Sequence, residues 1–270
     1  MSESRFFAEA WDWKPSVIAG CLILIALYVW YARLRRPAQL VSWLAGVLLI
    51  LFALVSPFDE LADTYLFSAH MAKHILFVLV VPALLLNGMP PAPIERLLRH
   101  RPIAMVERVC RKPAVAWVTG IGAMALWHIP SMFNAALASE PLHIIEHLSL
   151  LVAGTVYWWP ILAPLPDSRL QPVPQGVAYL FTSCAACTGM GVLITFAPRL
   201  LYASYAHPVD TFGILPLIRN NWGISAAMDQ QIGGLLMWVP GCLIYLAAIM
   251  GMFARWYAEE APKPEEVQWT

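Results

Sequence analysis

Seven long apolar runs constrain this chain of 270 residues more than any other feature of its sequence. They lie at about 16–34, 38–57, 66–88, 113–133, 142–163, 175–198 and 226–254. Each is close to the roughly 20 residues that a helix needs to cross the hydrocarbon core of a bilayer. Because a spanning segment must satisfy its backbone hydrogen bonds internally, the runs predict an all-α integral membrane protein, a bundle of about seven transmembrane helices.

The composition favours one polytopic membrane domain over residues 1–270. Hydrophobic residues make up 60% of the chain and charged residues 13%, about half the charged share of a soluble domain. The formal net charge is zero, which gives no case for a nucleic acid partner. The five cysteines are scattered and lie mostly inside apolar runs, so the sequence predicts no disulfide framework.

The distribution of lysine and arginine predicts how the helices are oriented. If the spans alternate in direction, twelve of the 17 basic residues fall on one side and four on the other, with Lys73 inside a span. Loops rich in lysine and arginine stay in the cytoplasm, so we expect the N-terminus outside and the C-terminus in the cytoplasm. The basic segment 92–112 is expected to lie along the inner surface of the bilayer. The expected location is the cell inner membrane.

Two sequence motifs, HMAKH at 70–74 and HIIEH at 143–147, each place two histidines one helical turn apart on the same face. In the predicted topology both motifs begin spans at the outer side, and another histidine ends the fourth span there. Histidines inside a membrane are costly and usually face the bundle interior, and imidazole suits copper, zinc and iron. The sequence therefore predicts a metal or haem site formed by His70, His74, His128, His143 and His147.

Other polar and sulfur-bearing residues are predicted to support this site. Lys73 and Glu146 occupy the same register in two parallel spans, and we expect them to neutralise each other as a buried ion pair. Asp229 and Gln230, at the outer start of the last span, are expected to lie beside the histidines. Thiolate and thioether ligands select Cu(I), although such residues also pack well in cores. The weaker candidates of this kind are Met71, Cys184, Cys187 and Met190.

Four segments, in this order, resemble the integral membrane CtaG family of cytochrome c oxidase assembly factors. They read SPFDELADTYLFSAHMAKHILFVLVVPALLLNGMP, ALWHIPSMFNAAL, PLHIIEHLSLLVAGTVYWWPIL and MDQQIGGLLMWVPG, and the resemblance covers about residues 50–255. The positions that match the family's motifs are His70, His74, His128, His143, Glu146, His147, Asp229 and Gln230. The pair of Cys184 and Cys187 is not part of that pattern.

The resemblance implies a function in metal delivery rather than in catalysis. Members of the family are similar in having about seven spans, and they are implicated in supplying copper to the haem–copper centre of cytochrome c oxidase. The implied cofactor is copper, as Cu(I), and no catalytic residue is implied. The implied partners are the catalytic subunit of cytochrome c oxidase, an upstream periplasmic copper donor and the lipid bilayer.

Two other functions fit parts of the pattern. HIIEH matches the H-x-x-E-H signature of zinc hydrolases, in which two histidines bind zinc and the glutamate activates water, but a second dihistidine motif has no role in such an enzyme. A membrane b-type cytochrome would hold haem b between histidines of facing helices, and only Ala69 and Ala72 of the third span are small enough to lie against that ring. The sequence leaves open the metal and its oxidation state, the oxidase that is served and the oligomeric state.

Overall fold

The computed structural model describes residues 3–31, 36–171 and 173–260, without the side chains of residues 31, 259 and 260. Within these ranges every regular element is a helix, which confirms the prediction of an all-α fold. Single turns of π-helix lie at Leu61–Tyr65, Leu76–Val80 and Leu217–Asn221, and a 3₁₀ turn lies at Pro166–Ser168. The α-helices are α1 (Glu3–Glu9), α2 (Pro15–Tyr31), α3 (Pro37–Val55), α4 (Pro57–Glu60), α5 (Phe67–Ile75), α6 (Val81–Gly88), α7 (Pro91–Leu98), α8 (Arg101–Cys110), α9 (Pro113–Trp127), α10 (Pro130–Leu137), α11 (Glu140–Leu162), α12 (Val173–Thr195), α13 (Ala203–Ala206) and α14 (Ala226–Glu260).

Among the described residues, five helical segments are long and apolar enough to cross a membrane. They are Pro37–Val55, Phe67–Gly88, Glu140–Leu162, Val173–Thr195 and Ala226–Ala258. The other two predicted spans correspond to the shorter apolar helices α2 and α9. The predicted span 113–133 is too long, because α9 stops at Trp127 and Ile129 is extended, as a residue before proline prefers to be.

Apolar side chains cover the outside of the long helices. Five with more than half of their surface exposed are Leu22, Leu48, Phe181, Leu193 and Leu243. Exposed apolar surface of this extent marks contact with a membrane or with another protein. Together with the length of the apolar helices, it identifies the chain as a helical membrane protein.

The third predicted span, which carries the HMAKH motif, is not a uniform α-helix. It passes from α5 through the π turn Leu76–Val80 into α6, where Pro82 is the second residue. Pro82 has no N–H to donate to the Val78 carbonyl one turn earlier, and the helix widens at this point. Gly154 of α11 packs on the widened turn, since a Cβ there would lie 2.5 Å from the Val78 oxygen. This close approach joins the two helices that carry the paired histidines.

The last helix, α14, packs against both α5 and α12. Its approach to α5 is close because Gly233 has no side chain. A Cβ at that position would overlap the ring of Phe67 and lie 3.2 Å from Cγ of Met71. A disulfide between Cys184 and Cys242 also joins α12 to α14. The segment from α5 to α6 is therefore held by α14 at its start and by α11 at the π turn.

Candidate metal centre

Five histidines from three parts of the chain meet in one cluster. α5 supplies His70 and His74, α11 supplies His143 and His147, and His128 follows the end of α9. The ring centroids are 4.5 Å apart within the α5 pair and 4.2 Å apart within the α11 pair. His70 lies 5.7 Å from His143, and His74 lies 5.2 Å from His128. The structure therefore brings together all five histidines that were predicted to share a site.

The cluster is buried except on one side. His70 and His74 are completely inaccessible to solvent, and His147 is 8% exposed. The side chains of His143 and Asp63 are 18% and 21% exposed. An ion would therefore reach the cluster between His143 and Asp63.

Two carboxylates lie among the imidazoles. Glu146 Oε1 is 3.3 Å from His74 Nε2 and 3.8 Å from His70 Nε2, and its Oε2 is 3.9 Å from His143 Nε2. Asp63 Oδ1 is 3.4 Å from His70 Nδ1 and 3.5 Å from His143 Nε2. These separations allow electrostatic attraction, but they are longer than ordinary hydrogen bonds.

Eight buried polar atoms of this cluster lack hydrogen-bond partners. Among the described residues, these are both ring nitrogens of His70 and His74, Nε2 of His143 and His147, and both carboxylate oxygens of Glu146. Proteins rarely leave buried polar atoms unpaired, because each such atom costs about 1–3 kcal/mol. So many unpaired atoms at one place fit metal binding, because an ion would be bound by the lone pairs of several of them.

Four residues are positioned to bind a single ion, and we call them the outer ligand set. They are His70, His143, Glu146 and His147, and one ligand atom of each lies within 4.8 Å of the others. Around a tetrahedral ion with bonds of about 2.0–2.2 Å, neighbouring ligand atoms are about 3.3–3.6 Å apart, so a contraction of about 1 Å would close the set. Three imidazoles with one carboxylate suit copper or zinc.

The predicted ion pair between Lys73 and Glu146 is not formed. Lys73 Nζ instead contacts Asp59 Oδ1 at 2.6 Å and Asp63 Oδ1 at 2.7 Å. Both aspartates lie just before α5, so the flexible lysine side chain reaches them by folding back along its own segment. Asp59 Oδ2 also accepts a hydrogen bond from Lys14 at 2.7 Å. Glu146 faces the histidines rather than a lysine.

Asp63 connects this charged network to the histidines. Its Oδ1 contacts Lys73 on one side and His70 and His143 on the other. Burial raises the pKa of the Asp63 carboxyl, but Lys73 and the two imidazoles outweigh this effect and lower that pKa well below its ordinary value. Asp63 is therefore ionised at neutral pH, and its charge is shared between the ammonium of Lys73 and the imidazoles at the exposed side of the cluster.

Asp229 and Gln230 support the site from a distance. The Asp229 carboxylate accepts hydrogen bonds from the backbone N–H groups of Phe67 and Ser68 and from the Ser68 hydroxyl. These residues begin α5, where N–H groups have no partner within the helix and the helix dipole favours a negative charge. Gln230 accepts a hydrogen bond from the Leu201 N–H and so fixes the segment after α12. Both residues therefore position helices rather than an ion.

One sulfur-bearing candidate lies beside the histidines. Met71 is completely buried, and its Sδ is 3.1 Å from Nε2 of His128. It belongs to α5 and lies between the two histidines of the HMAKH motif in the sequence.

The other sulfur-bearing candidates lie in the packing between α12 and α14. Cys184 forms a disulfide with Cys242, so it is not available to act with Cys187 as a ligand pair, and the expectation of no disulfide is wrong for this pair. Cys187 and Met190 belong to or pack against the hydrophobic core of the bundle. These contacts therefore give no support for Cys184, Cys187 and Met190 as copper ligands.

Asp59 and Asp63 belong to the site, although they were not predicted from the sequence. Their spacing of four residues places them on one helical face, shortly before the HMAKH motif. Three acids within five residues, Asp59, Glu60 and Asp63, precede a lysine in an apolar span and are a signal for a buried cation. The matching register of Lys73 and Glu146 favoured a different partner for that lysine. Phe133, whose ring centroid is 4.9 Å from that of His70, gave no such signal because it lies on the separate helix α10.

The fold and the site define a class of protein, the helical membrane proteins that carry a buried cluster of histidines and carboxylates at one end of the bundle. The sequence profile of the cytochrome c oxidase caa3 assembly factors (Caa3_CtaG) matches residues 23–259. The chain belongs to this family, as the order of its four motifs indicates.

Curated relatives are similar over most of this chain. An uncharacterized protein of Mycobacterium leprae (strain TN) is 24% identical over an alignment of 281 positions that covers 95% of this chain and 40% of that protein. Uncharacterized proteins of Mycobacterium bovis and Mycobacterium tuberculosis are each 22% identical over alignments of 266 positions that cover 90% of this chain and 38% of theirs. The chain thus spans about two fifths of the length of these relatives. No solved structure matches it.

Proposed function

We propose that this protein binds copper in its histidine cluster and supplies it to the haem–copper centre of cytochrome c oxidase during assembly. The observation that carries the proposal is the convergence of eight unpaired, buried ligand atoms from two helices. Membership of the family indicates an oxidase as the protein served. The ligand chemistry indicates the metal, because imidazole sites bind Cu(II) more tightly than zinc and also accept Cu(I).

The proposal includes seven spans with the N-terminus outside and the C-terminus in the cytoplasm. At a rise of about 1.5 Å per residue, α2 and α9 are somewhat short for a bilayer, but bundle packing and local thinning accommodate such helices. The arginines of α7 and α8 then lie on the cytoplasmic side, as the positive-inside rule requires.

Reporter fusions test this orientation. A green fluorescent protein fused to the C-terminus should fluoresce, and alkaline phosphatase fused there should be inactive. The reverse result would contradict this orientation.

In this orientation the exposed side of the cluster, between Asp63 and His143, opens toward the outer surface. A periplasmic copper donor would load the outer ligand set there, between the partly exposed side chains of Asp63 and His143. Buried imidazoles hold the ion away from water and release it by exchange of one ligand at a time. The catalytic subunit of the oxidase is the proposed acceptor.

A haem site fits the cluster less well than a metal ion. The five imidazoles pack against one another and against the ring of Phe133, with centroid distances of 4.2–6.5 Å. A porphyrin between two of these histidines would displace the other rings.

A zinc hydrolase also fits less well. In that mechanism the glutamate of HIIEH must reach an attacking water, whereas Glu146 is completely buried and has its carboxylate among the ligand atoms. Its position is that of a ligand rather than of a general base.

Metal analysis and an absorption spectrum of the full chain, purified in mild detergent, test the proposal. Copper at a fixed ratio to protein, with no Soret band, is the expected result. A Soret band would identify a cytochrome, and zinc with peptidase activity would identify a hydrolase; either would overturn the copper proposal.

A further inference from the structure

His128 has its two ring nitrogens in different environments. Nδ1 lies 2.6 Å from the carbonyl oxygen of Met124, which can only accept a hydrogen bond. The nearby carboxylates pair with His70, His74 and His143 instead of this ring. A neutral His128 therefore carries its proton on Nδ1, as metal-binding histidines usually do, and has a lone pair on Nε2.

The lone pair on Nε2 of His128 faces another atom that can only accept, the thioether sulfur of Met71. Nε2 is 3.1 Å from the thioether sulfur of Met71, which has no hydrogen to donate. With bonds of about 2.0 Å to nitrogen and 2.3 Å to sulfur, two neighbouring ligands of one ion are about 3.0–3.5 Å apart. The two atoms already have the separation of ligands that share an ion.

A third ligand is close by. His74 is completely buried, its ring centroid lies 5.2 Å from that of His128, and neither of its ring nitrogens has a hydrogen-bond partner among the described residues. We propose that His74, His128 and Met71 form a second metal subsite, the inner subsite, which is selective for Cu(I). This proposal rests on the proposed copper function. It adds a second site with a sulfur ligand, which the outer ligand set lacks.

The two sites differ in chemistry. The inner subsite offers two imidazoles and a soft thioether, and thioether ligation selects Cu(I). The outer ligand set offers three imidazoles and a carboxylate, which also suit Cu(II) and zinc. Glu146 lies between them, with Oε1 3.8 Å from His70 Nε2 and 3.3 Å from His74 Nε2. An ion could pass from one site to the other by exchange of ligands at this carboxylate.

The test uses the full chain with selenomethionine in place of methionine, loaded anaerobically with Cu(I) in mild detergent. X-ray absorption should detect selenium bonded to copper, and this contact cannot come from a cysteine. Met71→Leu should abolish the Cu–Se contact. It should also weaken Cu(I) binding by roughly 10-fold or more, because even the loss of a residue that only hydrogen-bonds to a metal ligand weakens metal affinity by at least that factor.

Met237→Leu is the matched control, because Met237 is a buried methionine of α14 whose side chain lines an apolar cavity. It should keep both the Cu–Se contact and the affinity. Copper bound through nitrogen and oxygen alone in the wild-type chain would overturn the inner subsite while leaving the copper function in place. This spectrum needs no variant, so poor folding of Met71→Leu would not prevent the test. A chain that binds no copper at all would overturn both proposals.

Discussion

A lysine without exposed surface needs close partners, and Lys73 has two. Its ammonium lies 2.6 Å from Asp59 and 2.7 Å from Asp63. Asp59 is in turn bonded to Lys14, so charges alternate from the N-terminal segment to the histidines. A buried network of this kind stabilises the fold only while every member is present.

Replacement of Lys73 by methionine should therefore be costly. Lys73→Met leaves Asp63 and one oxygen of Asp59 without their cation, and the free energy of unfolding should fall by about 3–5 kcal/mol. Unfolding in detergent, followed by circular dichroism, would measure the change. Lys112→Met, at an exposed lysine, is the control. A loss no larger than that of the control would contradict the network.

A charge swap separates the observed pairing from the one predicted from sequence. Lys73→Glu combined with Glu146→Lys should be no more stable than the worse single variant. The swap adds a third carboxylate beside Asp59 and Asp63 and places an ammonium among imidazoles. Recovery of stability in the double variant would show that residues 73 and 146 pair after all.

At the scale of residues, the sequence predicted the histidine cluster but not the partner of Lys73. The i, i+4 spacing of the histidines fixed which face of each helix they share, and the five rings do come together. Equal register in two parallel helices did not decide the partner of Lys73, because a long flexible side chain binds whichever carboxylate it reaches first. The partner depended on Asp59 and Asp63, whose position relative to the lysine is set by the turn before α5.

At the scale of elements, the histidine pairs are aligned by a close contact between α11 and the widened turn after α5. Apolar length predicted the five long helical segments well, because a helix that crosses a bilayer needs about 20 apolar residues. The π turn at Leu76–Val80 was not predicted, because Pro82 inside an apolar run is compatible with a kink, a bulge or a helix end. The disulfide between α12 and α14 depends on how two helices face each other, which no single-helix pattern contains.

Gly154→Ala tests this contact. The added Cβ would lie 2.5 Å from the Val78 oxygen and 2.8 Å from its Cα, and backbone atoms cannot rotate away. Overpacking of this kind costs about 1–3 kcal/mol, and it should also separate the histidine pairs and lower copper retention. Gly122→Ala, where a Cβ meets nothing within 4 Å, is the control. Equal stability and copper content in the two variants would contradict the role of the contact.

At the scale of the whole molecule, the chain combines a buried cluster of histidines and carboxylates with a bundle of long apolar helices. The sequence predicted the fold class, and its motifs resembled the family to which the chain belongs. Copper binding, the direction of transfer and the oxidase partner are proposals. They depend on a ligand set that only the assembled bundle creates.

Deletion of the gene tests the delivery function in cells. At limiting copper, cytochrome oxidase from the deletion strain should be assembled but poor in copper, with activity reduced in proportion. Respiratory enzymes without copper should keep their activity. Oxidase with full copper content under these conditions would contradict a delivery role, whatever the protein binds in vitro.

The most direct test of the central claim is the copper stoichiometry of a His70→Ala/His143→Ala double variant. These residues link α5 to α11 in the outer ligand set. The control is His100→Ala/His207→Ala, which removes two exposed histidines that do not belong to the ligand set. With both proteins folded, the account predicts that the control retains the copper of the wild-type chain and that the double variant loses at least the copper of the outer ligand set. Undiminished copper in the double variant would contradict the account.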